Sequence, residues 1–75
     1  MRLIDAEIGR KYKIVSISGG FLSKGRLLRL GVTPGSVIEL KRVAPLSGPL
    51  MINVNGSDIV IGRGVAKKVV IEKIV

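Results

Sequence analysis

Asn55-Gly56 lies between two runs of alternating apolar residues and is the strongest short-range hairpin signal in the chain. Both residues accept positive φ, as a two-residue type I′ turn demands, so the flanking runs read as paired antiparallel strands. Leu50, Ile52 and Val54 share one face before the turn, and residues 58–61 return after it. Residues 36–43 alternate in the same way, with Ile38 and Leu40 on one side and Glu39 and Lys41 on the other, directly after the Pro34-Gly35 turn. Residues 12–18 are β-branched and aromatic and stop at Gly19-Gly20. Ile14 and Ile17 are three apart, so both reach the core only if a bulge falls near Val15-Ser16. Residues 62–68, with two glycines around Ala66, read as a turn or a single helical turn, and residues 69–75 close the chain as a fifth strand with Val69 and Ile71 inward.

One short helix is expected over residues 23–30, with Ser23 as N-cap, Leu27 and Leu30 on the buried face and Gly31 as the C-terminal stop. Gly25 within it costs about 0.8–1 kcal/mol relative to Ala, so the helix depends on docking against the sheet. The expected core is Ile14, Ile17, Leu27, Leu30, Ile38, Leu40, Ile52, Val54, Ile59, Ile61, Val69 and Ile71. Five short strands, tight turns and one brief helix predict an all-β domain over residues 1–75, a partly open five-stranded barrel rather than a sandwich, because curling the sheet removes exposed edges.

That core is aliphatic, since Tyr12 and Phe21 are the only aromatic residues. The absence of cysteine rules out a disulfide, so a domain of 75 residues relies on packing or on self-association for stability. No secretory signal is visible in residues 1–11, which contain Asp5 and Glu7. The longest uncharged stretch, residues 43–57, is broken by prolines and asparagines and is shorter than the roughly 18–20 apolar residues of a spanning helix. A cytoplasmic location is the expectation. The formal net charge of +8 favours anionic partners: nucleic acid, an acidic protein face or anionic lipid.

Enzymatic chemistry finds little support. With neither His nor Cys, the chain lacks the ligands of tight transition-metal sites, and its five carboxylates are scattered singly, so no metal site, cofactor or catalytic residue is assigned. No nucleophile stands beside a base. Residues 20–27 have the glycine spacing of a phosphate-binding loop, but Arg26 and Leu27 occupy the positions of the Lys and the Ser/Thr that chemistry requires. A basic barrel that binds nucleic acid is the alternative function, weakened by the lack of stacking aromatics.

The run Arg26-Leu27-Leu28-Arg29-Leu30-Gly31-Val32-Thr33-Pro34-Gly35 resembles the helix-to-strand signature of the FeoA family, ferrous iron transport protein A. Gly9, Gly19-Gly20, Ala44-Pro45, Gly48-Pro49, Asn55-Gly56, the Ile59/Ile61 pair and Ala66 before Val69 and Ile71 are similar to the family pattern in order and spacing. Gly62 departs from it, where a basic or other long side chain is expected. The resemblance implies an SH3-like barrel, a family-level link to transition-metal ions, and a cytosolic accessory role for FeoB, the ferrous iron transporter whose soluble part binds GTP. A similar barrel is appended to iron- and manganese-dependent repressors, whose winged-helix region this chain does not carry. Arg26 and Arg29, with Leu28 and Phe21 beside them, form the expected partner surface, since arginines around an apolar anchor are enriched in interface hot spots.

Overall fold

The alternating runs form strands at the expected places. The computed structural model describes residues 1–19 and 21–74, and of residues 21–23 the backbone alone. Strands β1 (Lys11–Ile17), β2 (Val37–Val43), β3 (Leu50–Val54), β4 (Ser57–Ile61) and β5 (Val69–Lys73) make one antiparallel sheet in the order β4-β3-β2-β1-β5. Helix α1 (Phe21–Arg29) connects β1 to β2, helix α2 (Arg63–Ala66) connects β4 to β5, and a 3₁₀ turn covers Leu3–Asp5. Asn55 and Gly56 take φ of 53° and 84°, as a type I′ turn requires, and Val54 pairs with Ser57 across it.

Two irregularities curl the sheet. The register slips between Ile14 and Ser16 on β1, where the spacing of Ile14 and Ile17 demands it, and again between Leu40 and Arg42 on β2. Each extra residue bends its strand and increases the local twist. The sheet thereby wraps around its own core without pairing β4 to β5, which leaves the barrel partly open. Its two edges differ. Arg2 bridges to Val70, and the Ile71 N–H donates to the Met1 carbonyl at 2.7 Å, so β5 is covered. No such backbone partner meets the outer edge of β4 among the described residues.

The helix corrects two expectations. It begins at Phe21, two residues before the Ser23 named as its cap. Leu30 is 41% exposed and stands outside the core, whereas Leu27 is buried. The reason is the helix ending. The Val32 N–H donates to the Leu27 carbonyl at 2.9 Å and the Gly31 N–H to the Leu28 carbonyl at 3.1 Å, the paired bonds of a Schellman motif, with Gly31 at φ 87°. This motif brings the residue after the glycine back against the last helical turn, so Val32, fully buried, packs in the place expected of Leu30.

Of the remaining expected core positions, Ile59 is half-buried against the cluster and the others are buried. Leu3, Tyr12, Val32, Leu50 and Ala66 complete it. Tyr12 is wholly buried and satisfies its hydroxyl by accepting the Glu7 N–H at 2.8 Å, which ties the N-terminal segment to β1. Among the described residues no polar or charged residue is buried, and no helix is long and apolar enough to cross a membrane.

Candidate functional site

Docking of α1 through Leu27 leaves Lys24, Arg26, Leu28 and Arg29 on its outer side. Leu28 is 52% exposed. Arg26, Leu28 and Arg29 are all exposed on α1, with Arg29 between the other two around the helix and Arg26 turned toward the cleft between α1 and β4, while the side chain of Phe21 lies outside the described residues. Residues 24–27 are helical, so the glycine spacing noted there belongs to a helix and forms no phosphate loop.

Beside this surface runs a cleft of about 230 Å³. Arg26, Leu27 and Leu30 form its helix wall, Val60 and Ile61 the β4 wall, and Gly62 and Val65 its end. Gly62 opens α2 in extended conformation and contributes no side chain, which leaves the end of the cleft open. Val60, 59% exposed, also borders a smaller apolar groove of about 100 Å³ with Ala44, Pro49 and Met51. The groove ends in the β2–β3 loop. Leu46 at its tip is 99% exposed, and Leu46 and Ser47 both take φ near 60°, values that cost a non-glycine residue roughly 1–2 kcal/mol. Sequence reading missed Leu30, Val60 and Val65 as site residues. The signal available for Val60 was an apolar residue on the outward face of an alternating strand.

Charge is partitioned around the cleft. Helix α1 carries Lys24, Arg26 and Arg29, and α2 with the residues after it carries Arg63, Lys67 and Lys68, whereas no carboxylate occurs in residues 8–38 or 59–71. The two ion pairs among the described residues, Arg10 with Glu7 at 3.8 Å and Lys41 with Glu39 at 3.4 Å, involve neither helix. Asp58 accepts the Asn53 side-chain N–H at 2.9 Å. Arg63 keeps its Nε away from solvent with no hydrogen-bond partner. The cleft wall contains one ionisable side chain, Arg26, and the described residues bring together no group of three potential metal ligands. Such a cleft can attract and bury an anionic, partly apolar group, and it presents no acid-base pair.

Comparison with known proteins gives the same pattern over nearly the whole chain. The FeoA domain signature matches residues 1–73. A Methanocaldococcus jannaschii protein provisionally named Fe(2+) transport protein A is 36% identical over 70 residues, which is 93% of this chain and 83% of that protein. Among solved structures, an iron uptake regulatory protein (FeoA) is similar with a TM-score of 0.90 and 34% identity over 99% of this chain and 97% of that one. The FeoA protein of Chlorobium tepidum is similar with a TM-score of 0.93 and 25% identity, covering 100% of this chain and 71% of that one. The manganese-activated repressor ScaR shares the fold, with a TM-score of 0.88 over 99% of this chain and 35% of the repressor, at 23% identity.

Proposed function

Because the chain belongs to the FeoA domain family, we propose that it acts in ferrous iron transport as a single accessory domain that contacts the cytosolic GTP-binding part of a FeoB-type transporter. The observation that supports this reading is the exposed Leu28, with Arg29 next to it around the outer side of a helix already anchored by Leu27. An apolar anchor beside an arginine is the composition of interface hot spots, and nothing in the packing of α1 requires Leu28 to be leucine. The role is binding rather than catalysis: the cleft beside this surface holds one cation and no base to accompany it. A cytoplasmic site of action follows from that partner. Nucleic acid is disfavoured by Tyr12, whose complete burial removes one of only two aromatic side chains from any stacking surface.

Isothermal titration against the transporter's soluble domain tests the reading. Arg29→Glu should weaken binding at least about tenfold, or about 1.4 kcal/mol, with the melting temperature unchanged. Leu28→Ser should do the same. Unaltered affinity in both variants would move the contact away from α1.

A further inference from the structure

The open edge of β4 is a second recognition element of the same surface. We propose that β4 takes up an extended, carboxylate-bearing segment of another protein as a sixth strand, laid between β4 and α1. This concerns the mode of contact and rests on the α1 surface being the partner face.

The hairpin geometry determines which backbone groups are free. Val54 and Ser57 close a two-residue turn and form a hydrogen-bonded pair, and such pairs alternate with non-bonded ones along an antiparallel ladder. Ile52 with Ile59 and Leu50 with Ile61 are therefore the further bonded pairs, and the N–H and C=O groups of Asp58 and Val60 point away from β3. Among the described residues no backbone partner meets them. Edges of this kind are normally blunted by lysine, proline or a covering segment. β5 is covered by residues 1–2, but β4 is Ser-Asp-Ile-Val-Ile, rich in β-branched residues and free of both lysine and proline. A strand added here gains main-chain hydrogen bonds from Asp58 and Val60, and its inward side chains meet the cleft of Leu27, Leu30 and Val65.

Charge decides between occupants. A second copy pairing β4 to β4 would bring two copies of Arg26 to one seam, with Asp58 as the one carboxylate on each strand. A segment bearing Glu or Asp beside an aliphatic residue meets the Arg26 of the cleft wall with opposite charge. The Asp58 carboxylate is a negative charge on β4 but lies on the outer face of the sheet with its cross-strand neighbour Asn53, whose side-chain N–H it accepts, away from the inward side chains that meet the cleft.

A short peptide alternating Glu and Val, the same peptide N-methylated along its length, and a Lys/Val counterpart can be titrated into the isotope-labelled full chain. The Glu/Val peptide should shift the Asp58 and Val60 amide resonances and slow their hydrogen exchange at least about tenfold at saturation. The N-methylated and Lys/Val peptides should bind at least about tenfold more weakly. Val60→Pro removes one free N–H without touching the β3 ladder, a position where an edge strand tolerates proline, and should weaken the Glu/Val peptide equally while Val60→Thr retains it. Equal binding of the N-methylated peptide, or shifts that avoid β4, would overturn the proposal. Asp58 and Val60 amides already protected in the free protein would overturn it in favour of self-pairing. If the peptide behaves as stated while Arg29→Glu leaves transporter binding unchanged, strand addition stands and the partner assignment falls. If transporter binding needs Arg29 while the peptide fails, the contact stands and strand addition falls.

Discussion

Leu27 in α1 and Leu30 at its C-terminal cap lie three residues apart, yet they should respond very differently to truncation. Leu27 is 4% exposed, within the core, so Leu27→Ala removes a buried side chain and leaves a cavity, at a cost of about 2–5 kcal/mol. Leu30 is 41% exposed and borders the open cleft. Full burial of a leucine is worth about 1.5–3 kcal/mol, roughly three-fifths of that burial is present, and water can occupy the space vacated, so Leu30→Ala should cost only about 1–2 kcal/mol. Urea titration of both variants measures the difference, about 2 kcal/mol between the middles of the two ranges, provided the m-values agree with that of the parent. In a domain of this size each kcal/mol also lowers the melting temperature by about 4–8 °C, an independent reading of the same order. A Leu30→Ala loss equal to or larger than that of Leu27→Ala would refute the Schellman ending, because the helix would then be anchored through Leu30 and not through Val32.

Two further substitutions probe backbone conformation. Gly31→Ala should cost about 1–2 kcal/mol in the same titration, since φ of 87° is strained for any residue with a Cβ while the neighbouring space would admit the methyl group. Leu46→Gly should stabilise the protein by about 0.5–1 kcal/mol in thermal melts, because it relieves a left-handed conformation and sacrifices no packing at 99% exposure.

Strand alternation and turn chemistry made most of the fold legible. Ile38 and Leu40, Leu50 to Val54, and Ile14 with Ile17 each follow a rule with one answer once a single face is buried, and even the β1 bulge is forced by a spacing of three. What escaped depends on the third dimension. Leu30 and Val32 exchange places because the Schellman bonds redirect the chain after Gly31, and helical periodicity stops applying at that residue. Tyr12 is absent from the expected core although it shares the face of Ile14 by alternation; its polar hydroxyl can be buried there because it accepts the Glu7 N–H. Leu3 is buried by a 3₁₀ turn too short to have a periodic signature. The exposure of Arg26, Leu28 and Arg29 on α1 was legible from helical periodicity, but the cleft was not, because Val60 and Ile61 join it only once β4 is known to be an edge.

The distribution of charge separates a local site from a merely basic protein. Carboxylates occur in the N-terminal segment at Asp5 and Glu7 and on the sheet at Glu39, Asp58 and Glu72, and neither helix has one. Arg29→Glu and Lys41→Glu each replace one positive charge with one negative, taking the net charge from +8 to +6. They do so in different fields, since Lys41 already lies 3.4 Å from Glu39 on β2 whereas Arg29 stands among cations. At physiological ionic strength interactions between exposed charges fade beyond about 8 Å, so an acidic partner in contact with α1 should sense Arg29 on that helix more than Lys41 on β2. Titrated against the transporter's soluble domain, Arg29→Glu should lose at least about tenfold in affinity and flatten the salt dependence, while Lys41→Glu should change affinity by less than about twofold and keep the parent's slope. At low salt, near 0.01 M, the screening length grows to about 30 Å and the two variants should converge. Equal weakening at physiological salt would mean that overall charge governs association, and the assignment of the α1 surface would fall with it.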